Sequence, residues 1–244
     1  MLIQLLGTAL AGPILSIPTD AGPVEVHSAY HGSLHLSIPR AGTEPLDVWV
    51  DPWSKDPALP EEGRADLVLI TDVHFDHLDP EAFARVAREG TTVVAPQAVA
   101  DEKKVEIQHI VANGKSVEVG GIPIEAVPMY NLERGPEAGK LFHDKGRGNG
   151  YILNVGKQRI YIAGDTECTP EMKALEGITH AFVPMNLPYT MPPEEAAACV
   201  AAFAPEAVTP VHYAGSDLSV FEKQLADKGV KVQTIDAYPG GLPW

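Results

Sequence analysis

Nine residues, Thr71-Asp72-Val73-His74-Phe75-Asp76-His77-Leu78-Asp79, constrain the fold of this chain more than any other stretch. They follow Ala65-Asp66-Leu67-Val68-Leu69-Ile70, a short apolar run with the branching of a buried strand. They lead into Asp79-Pro80-Glu81, which reads as a helix N-cap, a first-turn proline and an acid well placed on the helix dipole. A strand must therefore end and a helix begin here, with Asp72, His74, Asp76 and His77 crowded into the loop between. Alternation points Asp72, His74 and Asp76 the same way while His77 turns aside. One short loop can thereby feed two neighbouring metal ions.

The remainder of the 244 residues is ordinary globular material, 45% hydrophobic and 21% charged, with enough apolar content for a sizeable core. A net charge of -15 argues against nucleic acid as a partner, because a phosphate-backbone binder needs a basic surface stripe. Cys168 and Cys199 do not make a disulfide framework, and Cys199, in an alanine-rich helical stretch, reads as a small buried hydrophobe. Residues 1–11 are apolar and end in Ala-Leu-Ala, as a signal-peptide cleavage site does, but lack a basic start. They are read either as the remnant of an export signal or as a first strand. The chain accordingly divides into an extension over 1–21 and a single domain over 22–244. Its location is either cytoplasmic or, with an export signal, periplasmic or secreted. No apolar run reaches the roughly 20 residues of a membrane span.

In chain order, strands are predicted over 23–38 with a turn at Tyr30-His31-Gly32-Ser33, then over 47–51 and 65–70. A helix over 80–88 stops at Gly90, and strands follow over 92–95 and through 107–128. Residues 129–150 are polar and glycine-rich, fit no regular element, and read as a loop that is either functional or disordered. A hairpin over 151–163 delivers Gly164-Asp165-Thr166, and a short helix is capped by Thr169. The chain continues as strand 181–185, helix 193–203, strand 207–211 ending on His212, helix 217–228 and a last strand over 230–235. Polar residues gather at the strand C-termini. Among the remaining histidines, His31 beside Gly32 is placed near a site, while His109 and His180 read as structural.

The strand followed by Thr71-Asp72-x-His74-x-Asp76-His77, then His143, Gly164-Asp165-Thr166 and His212, resembles the metallo-β-lactamase superfamily, whose first motif is usually His-x-His-x-Asp-His. Tyr130-Asn131, Phe142-His143-x-Lys145-Gly146, residues 160–166 and Val211-His212-Tyr213 resemble its ascorbate-phosphate-lactonase-like branch. The resemblance implies an α/β (α+β) fold, a four-layer αββα sandwich, with two divalent metal ions at one edge, zinc first and manganese or iron as alternatives. It implies one metal on Asp72, His74 and His143, a second on Asp76, His77 and His212, and Asp165 as the bridge. Asp76 and Asp165 then carry the catalytic roles, and Asp76 also orients the attacking hydroxide. Asp72 departs from the motif and would add a negative charge and a harder donor to the first site.

Lys145 and Arg147 among glycines are candidates for holding an anionic substrate group. Asn131 and Tyr189 complete the substrate-binding set, with Tyr189 and Tyr213 able to steady an oxyanion and Thr190 reading as a helix cap. The expected activity is metal-dependent hydrolysis by a metal-bound hydroxide of a small ester or lactone, the partner being a small molecule and the oligomeric state open. The alternatives are a phosphodiesterase on a small or lipid phosphodiester, and a metal-binding or sensing module whose first site Asp72 has impaired.

Overall fold

The structure, a computed structural model, describes residues 13–242. The first half forms β1 (Leu15–Ile17), β2 (Val24–Tyr30), β3 (Ser33–Ile38), β4 (Leu46–Val50), β5 (Ala65–Leu69), α1 (Pro80–Val86), β6 (Ala87–Ala95), α2 (Gln97–Glu102) and β7 (His109–Ile110). The second forms β8 (Ser116–Val119), β9 (Ile122–Met129), β10 (Gly148–Val155), β11 (Gln158–Ile162), α3 (Pro170–Lys173), β12 (His180–Pro184), α4 (Pro193–Phe203), β13 (Ala207–Val211), α5 (Leu218–Leu225) and β14 (Lys231–Val232). Each half is one seven-stranded sheet whose strands lie in sequence order. Each begins as an antiparallel meander, β1 to β4 and β8 to β11. Each then turns parallel, β4 to β7 and β11 to β14. Parallel strands need crossovers, so the helices are confined to the second part of each half.

Burial on both faces explains the order of layers. In β5, Leu67 and Leu69 join the core between the sheets while Val68 packs outward with Ile70, Ala82 and Val86. In β11, Ile160 and Ile162 face inward while Tyr161 joins Ala197, Val200 and Phe221 of the outer helices. Period-two alternation with both phases apolar is what a doubly covered sheet requires. Burying each such Leu or Ile is worth about 1.5–3 kcal/mol. The result is the αββα sandwich. The start of α1 is as read from the sequence: the Asp79 carboxylate accepts from the backbone of Glu81 and Ala82, with Pro80 in the first turn. No helix among the described residues is long and apolar enough to cross a membrane.

Several expectations are corrected. The helix predicted to 88 ends at Val86, because Ala87 already pairs with Ala65 of β5. The loop predicted to 150 is shorter, since Gly148, Asn149 and Gly150 pair with Met129, Pro128 and Val127. The last strand shrinks to Lys231–Val232. Leu15–Ile17, within the stretch set apart as an extension, pairs with β2, while residues 1–12 lie outside the described residues. Cys199 is not a free hydrophobe: it is disulfide-bonded to Cys168 across a Cα–Cα distance of 5.6 Å, joining α4 to the segment after Asp165. Thr190 caps no helix. It exchanges hydrogen bonds with the backbone of Asn186 and closes that turn, while Tyr213 donates its hydroxyl to Ile235 and packs.

Candidate metal centre

All the strand ends rich in polar residues meet at one edge of the sandwich. His31 turns between β2 and β3, Asp51 follows β4, residues 71–79 follow β5, Asp165 follows β11, Asn186 follows β12 and His212 follows β13. Backbone bonds stitch this edge across the two sheets, from the amide of His212 to His31 O and from that of Asn149 to Thr71 O. His31, Asp51 and His212 hold left-handed backbones, φ 56°, 44° and 45°, which a residue with a Cβ adopts only when its surroundings enforce it. Gly164 must be glycine: φ is 65°, and a Cβ there would lie 2.6 Å from Met129 Sδ. Gly32 lets two imidazoles approach, since its Cβ would sit 3.3 Å from the rings of both His77 and His212.

Asp165 lies at the centre. Its carboxylate is 3.4 Å from His77 Nε2, 3.5 Å from His143 Nε2 and 3.4 Å from His212 Nε2. Asp76 Oδ2 is 3.4 Å from His212 Nε2 and 3.8 Å from His77 Nε2. Asp72 Oδ2 is 2.8 Å from His74 Nδ1 and 3.8 Å from His143 Nε2. Among the described residues the donors form three groups, Asp72–His74–His143, His77–Asp165–His212 and His31–Asp76–His212, the last two sharing His212. The structure thus brings together all seven side chains expected as ligands.

A test of fit comes from the buried nitrogens. His77, His143 and His212 each bury an Nε2 that has no hydrogen-bond partner, and buried nitrogens are rarely left so. Their outer nitrogens explain what these atoms offer. His77 Nδ1 donates to Asp51 Oδ2 at 2.7 Å, and that carboxylate is fixed by the Thr71 amide and hydroxyl. His143 donates from both its backbone amide and Nδ1 (2.6 Å) to Asn131 Oδ1, while Asn131 Nδ2 donates to Glu167 and to Tyr189 O. With protons spent outward, His77 and His143 turn lone pairs inward, as metal ligands held by carboxylate or amide partners do. Imidazole and carboxylate donors around one cavity fit zinc, manganese or iron.

His31 can take the opposite polarity. The Tyr238 oxygen accepts from the Ala214 amide at 3.0 Å and lies 2.7 Å from His31 Nδ1, to which its hydroxyl can donate. In that arrangement the ring proton sits on Nε2, 3.3 Å from Asp76 Oδ2, and His31 is a donor that holds Asp76. Replacing Tyr238 by Phe removes the bond that sets this tautomer. Nitrogen-15 NMR is expected to show the His31 proton moving in part to Nδ1, and unchanged ring shifts would refute the assignment.

The electrostatics point the same way. Burial alone would raise the Asp165 and Asp76 carboxyls, but the imidazoles of His77 and His212 more than reverse it and hold both far below the usual range. Burial lowers the His77 ring, yet Asp165, Asp76 and Asp51 raise it well above its ordinary value. Burial pushes His143 down to about 4, and burial with the adjacent His212 does the same to His31. Around Asp165 and Asp76 the site favours positive charge, which a protonated His77 carries on its own and which divalent cations can supply in its place, with loss of that ring proton.

The proposed substrate contacts fare differently. Tyr189 lines a cavity of about 330 Å³ over the cluster, with Phe75, Phe142 and Asn186. Asn131 does not reach it: it is fully buried behind His143 and orients that ring. Lys145 turns away to Glu171 and the Tyr130 ring. Arg147 points inward, giving Asp72 two parallel hydrogen bonds of 3.0 Å. Asp51 and Glu167 were missed, and nothing local marks either: each meets its partner across 26 or more residues.

A family model for the beta-lactamase superfamily domain matches residues 30–212, a span that contains His31 and ends on His212. This chain belongs to that superfamily. It is 30% identical to a UPF0173 metal-dependent hydrolase of Methanopyrus kandleri over 80% of this chain and 90% of that one. A second such hydrolase, from Thermococcus onnurineus, is 33% identical over 76% of this chain and 84% of its own. Among solved structures, a protein of Parabacteroides distasonis described as a metal-dependent hydrolase superposes with TM-score 0.81 and 34% identity, covering 93% of this chain and 98% of that one. Igni18, a metallo hydrolase of Ignicoccus hospitalis, shares the fold at TM-score 0.68 and 24% identity, covering 88% and 95%. The superfamily member described here is a metal-dependent hydrolase, and its donors lie where its sheets meet.

Proposed function

We propose that this hydrolase opens an uncharged carboxylic ester or lactone with an apolar substituent, as the lactonase-like resemblance suggests, using two divalent ions with zinc preferred. The supporting observation is the wall of the cavity: Phe75, Phe142 and Tyr189 stand over the donors, and Phe75 is 72% exposed at the mouth. The two cations of the glycine-rich loop, Lys145 and Arg147, are committed to Glu171 and Asp72. The phosphodiester reading rested on those cations and loses that support.

Asp72, His74 and His143 would hold one ion, His77, His212 and Asp76 the other, with Asp165 between them. When bound, such ions lower the pKa of water and polarise a carbonyl oxygen. Asp76, steadied by His31 Nε2–H, accepts the proton of the attacking water at Oδ2. The Tyr189 hydroxyl, at the cavity wall, donates to the carbonyl oxygen as charge develops there. Phe75 and Phe142 cover the apolar part of the substrate and exclude water.

The test is a panel of aryl esters with acyl chains of graded length, lactones and a bis-aryl phosphodiester, assayed on zinc-loaded protein. Esters or lactones are expected to exceed the phosphodiester about 100-fold in kcat/KM. Phe75→Ser is expected to raise KM for the longest acyl chain about tenfold, the loss of about half a buried aromatic contact, with kcat little changed. Faster phosphodiester cleavage, indifferent to Phe75, would overturn the assignment.

A further inference from the structure

Asp72 is fully buried, and a bare carboxylate in such a place is costly unless a positive group balances it. Arg147 supplies that group. Its Nε donates to Asp72 Oδ1 and its Nη2 to Asp72 Oδ2, both at 3.0 Å, the two-pronged geometry in which guanidinium and carboxylate fit each other best. The same Nη2 donates at 2.8 Å to Phe142 O, the carbonyl immediately before His143. One side chain thus ties the first donor of the Asp72–His74–His143 group to the loop that carries the third. Asp72 Oδ2 nevertheless still faces His74 Nδ1 at 2.8 Å, so the pairing leaves this oxygen directed into the donor group.

We propose that Asp72 and Arg147 act as one electrically neutral donor unit, occupying the place and the charge of a histidine, with Arg147 as the positioning residue that holds Asp72 on the ion. The departure from the usual motif then adds no net charge to the site. It also leaves the donor set complete, so the chain has no need of a lone-ion arrangement. This inference rests on the reading that the Asp72 group holds a metal, and it is independent of which substrate is cleaved.

The experiment is zinc content per chain, at fixed free zinc and without substrate, for wild type, D72H, R147L and D72H/R147L. Wild type is expected to hold about two ions per chain. In D72H a neutral imidazole leaves Arg147 unpaired beside the cations, and content is expected to fall to about one ion per chain. In D72H/R147L the stray charge is gone and content returns to about two ions per chain. R147L alone leaves Asp72 unheld, and its metal-free form is expected to melt below wild type. Equal zinc content in D72H and D72H/R147L would overturn the coupling, as would a wild type holding a single ion. Should D72H not fold, D72N and D72N/R147L repeat the comparison with an isosteric side chain: zinc affinity is expected to drop about tenfold or more in D72N and to recover at least in part in the double variant. No recovery overturns the proposal. A wild type that holds both ions but cleaves no ester sinks the substrate assignment and leaves this unit standing.

Discussion

Asp165→Asn is expected to lower kcat/KM by about three orders of magnitude and zinc content from about two ions per chain to one or fewer. The substitution keeps the shape of the side chain and removes its charge. That charge is the common neighbour of His77, His143 and His212, none farther than 3.5 Å, so it serves both donor groups at once. No other carboxylate can replace it: Asp72 is held by Arg147, and Asp76 faces His31 and His212. Metal analysis and single-turnover hydrolysis on the same preparation check the result. The metal-free variant is expected to melt below wild type, because the charge that His77 and His212 stabilise has been removed and His77 loses its main partner. Loss of activity with both ions retained would move Asp165 from metal binding to a purely chemical role.

The second large effect is expected at a residue that touches no ion. Asp51→Ala removes the acceptor of His77 Nδ1–H and of the Thr71 amide and hydroxyl. Without it the imidazole is free to rotate and to place its proton on Nε2, where the lone pair is needed. Zinc affinity of the group containing His77 is expected to fall about 10–100-fold, read by competition with a chelator. The other group is held by Asn131 and Arg147 and is expected to keep its ion. Equal weakening at both would show that Asp51 acts on the fold of the edge as a whole.

The contrast between Asp165 and Asp51 marks what the sequence could tell. Asp72, His74, Asp76 and His77 were legible because their crowding is local and the strand and helix signals on either side fix the loop. Asp165 and His212 were legible as acids or imidazoles ending apolar strands. Asp51 ends a strand too, yet its meaning depends on the parallel pairing of β4 with β5, which brings its amide to Leu69 O; nothing within ten residues announces that. Arg147 was seen as a cation among glycines, but its partner lies 75 residues away, and an unpaired buried aspartate cannot be read from a string. The helix end at Val86 was missed for the same reason: pairing of Ala87 with Ala65 overrides the local stop signal at Gly90.

The two halves of the chain build one sheet each, and the donors are divided between them. The first sheet brings Asp72, His74, Asp76 and His77 within a single loop, and the second brings His143, Asp165 and His212 from three separate places. The early donors are near neighbours along the chain and can meet a cation while the later half is still unstructured. The late donors come together only when β10, β11 and β13 have found their register. A captured ion would therefore reward the docking of one sheet on the other, coupling metal binding to closure of the sandwich.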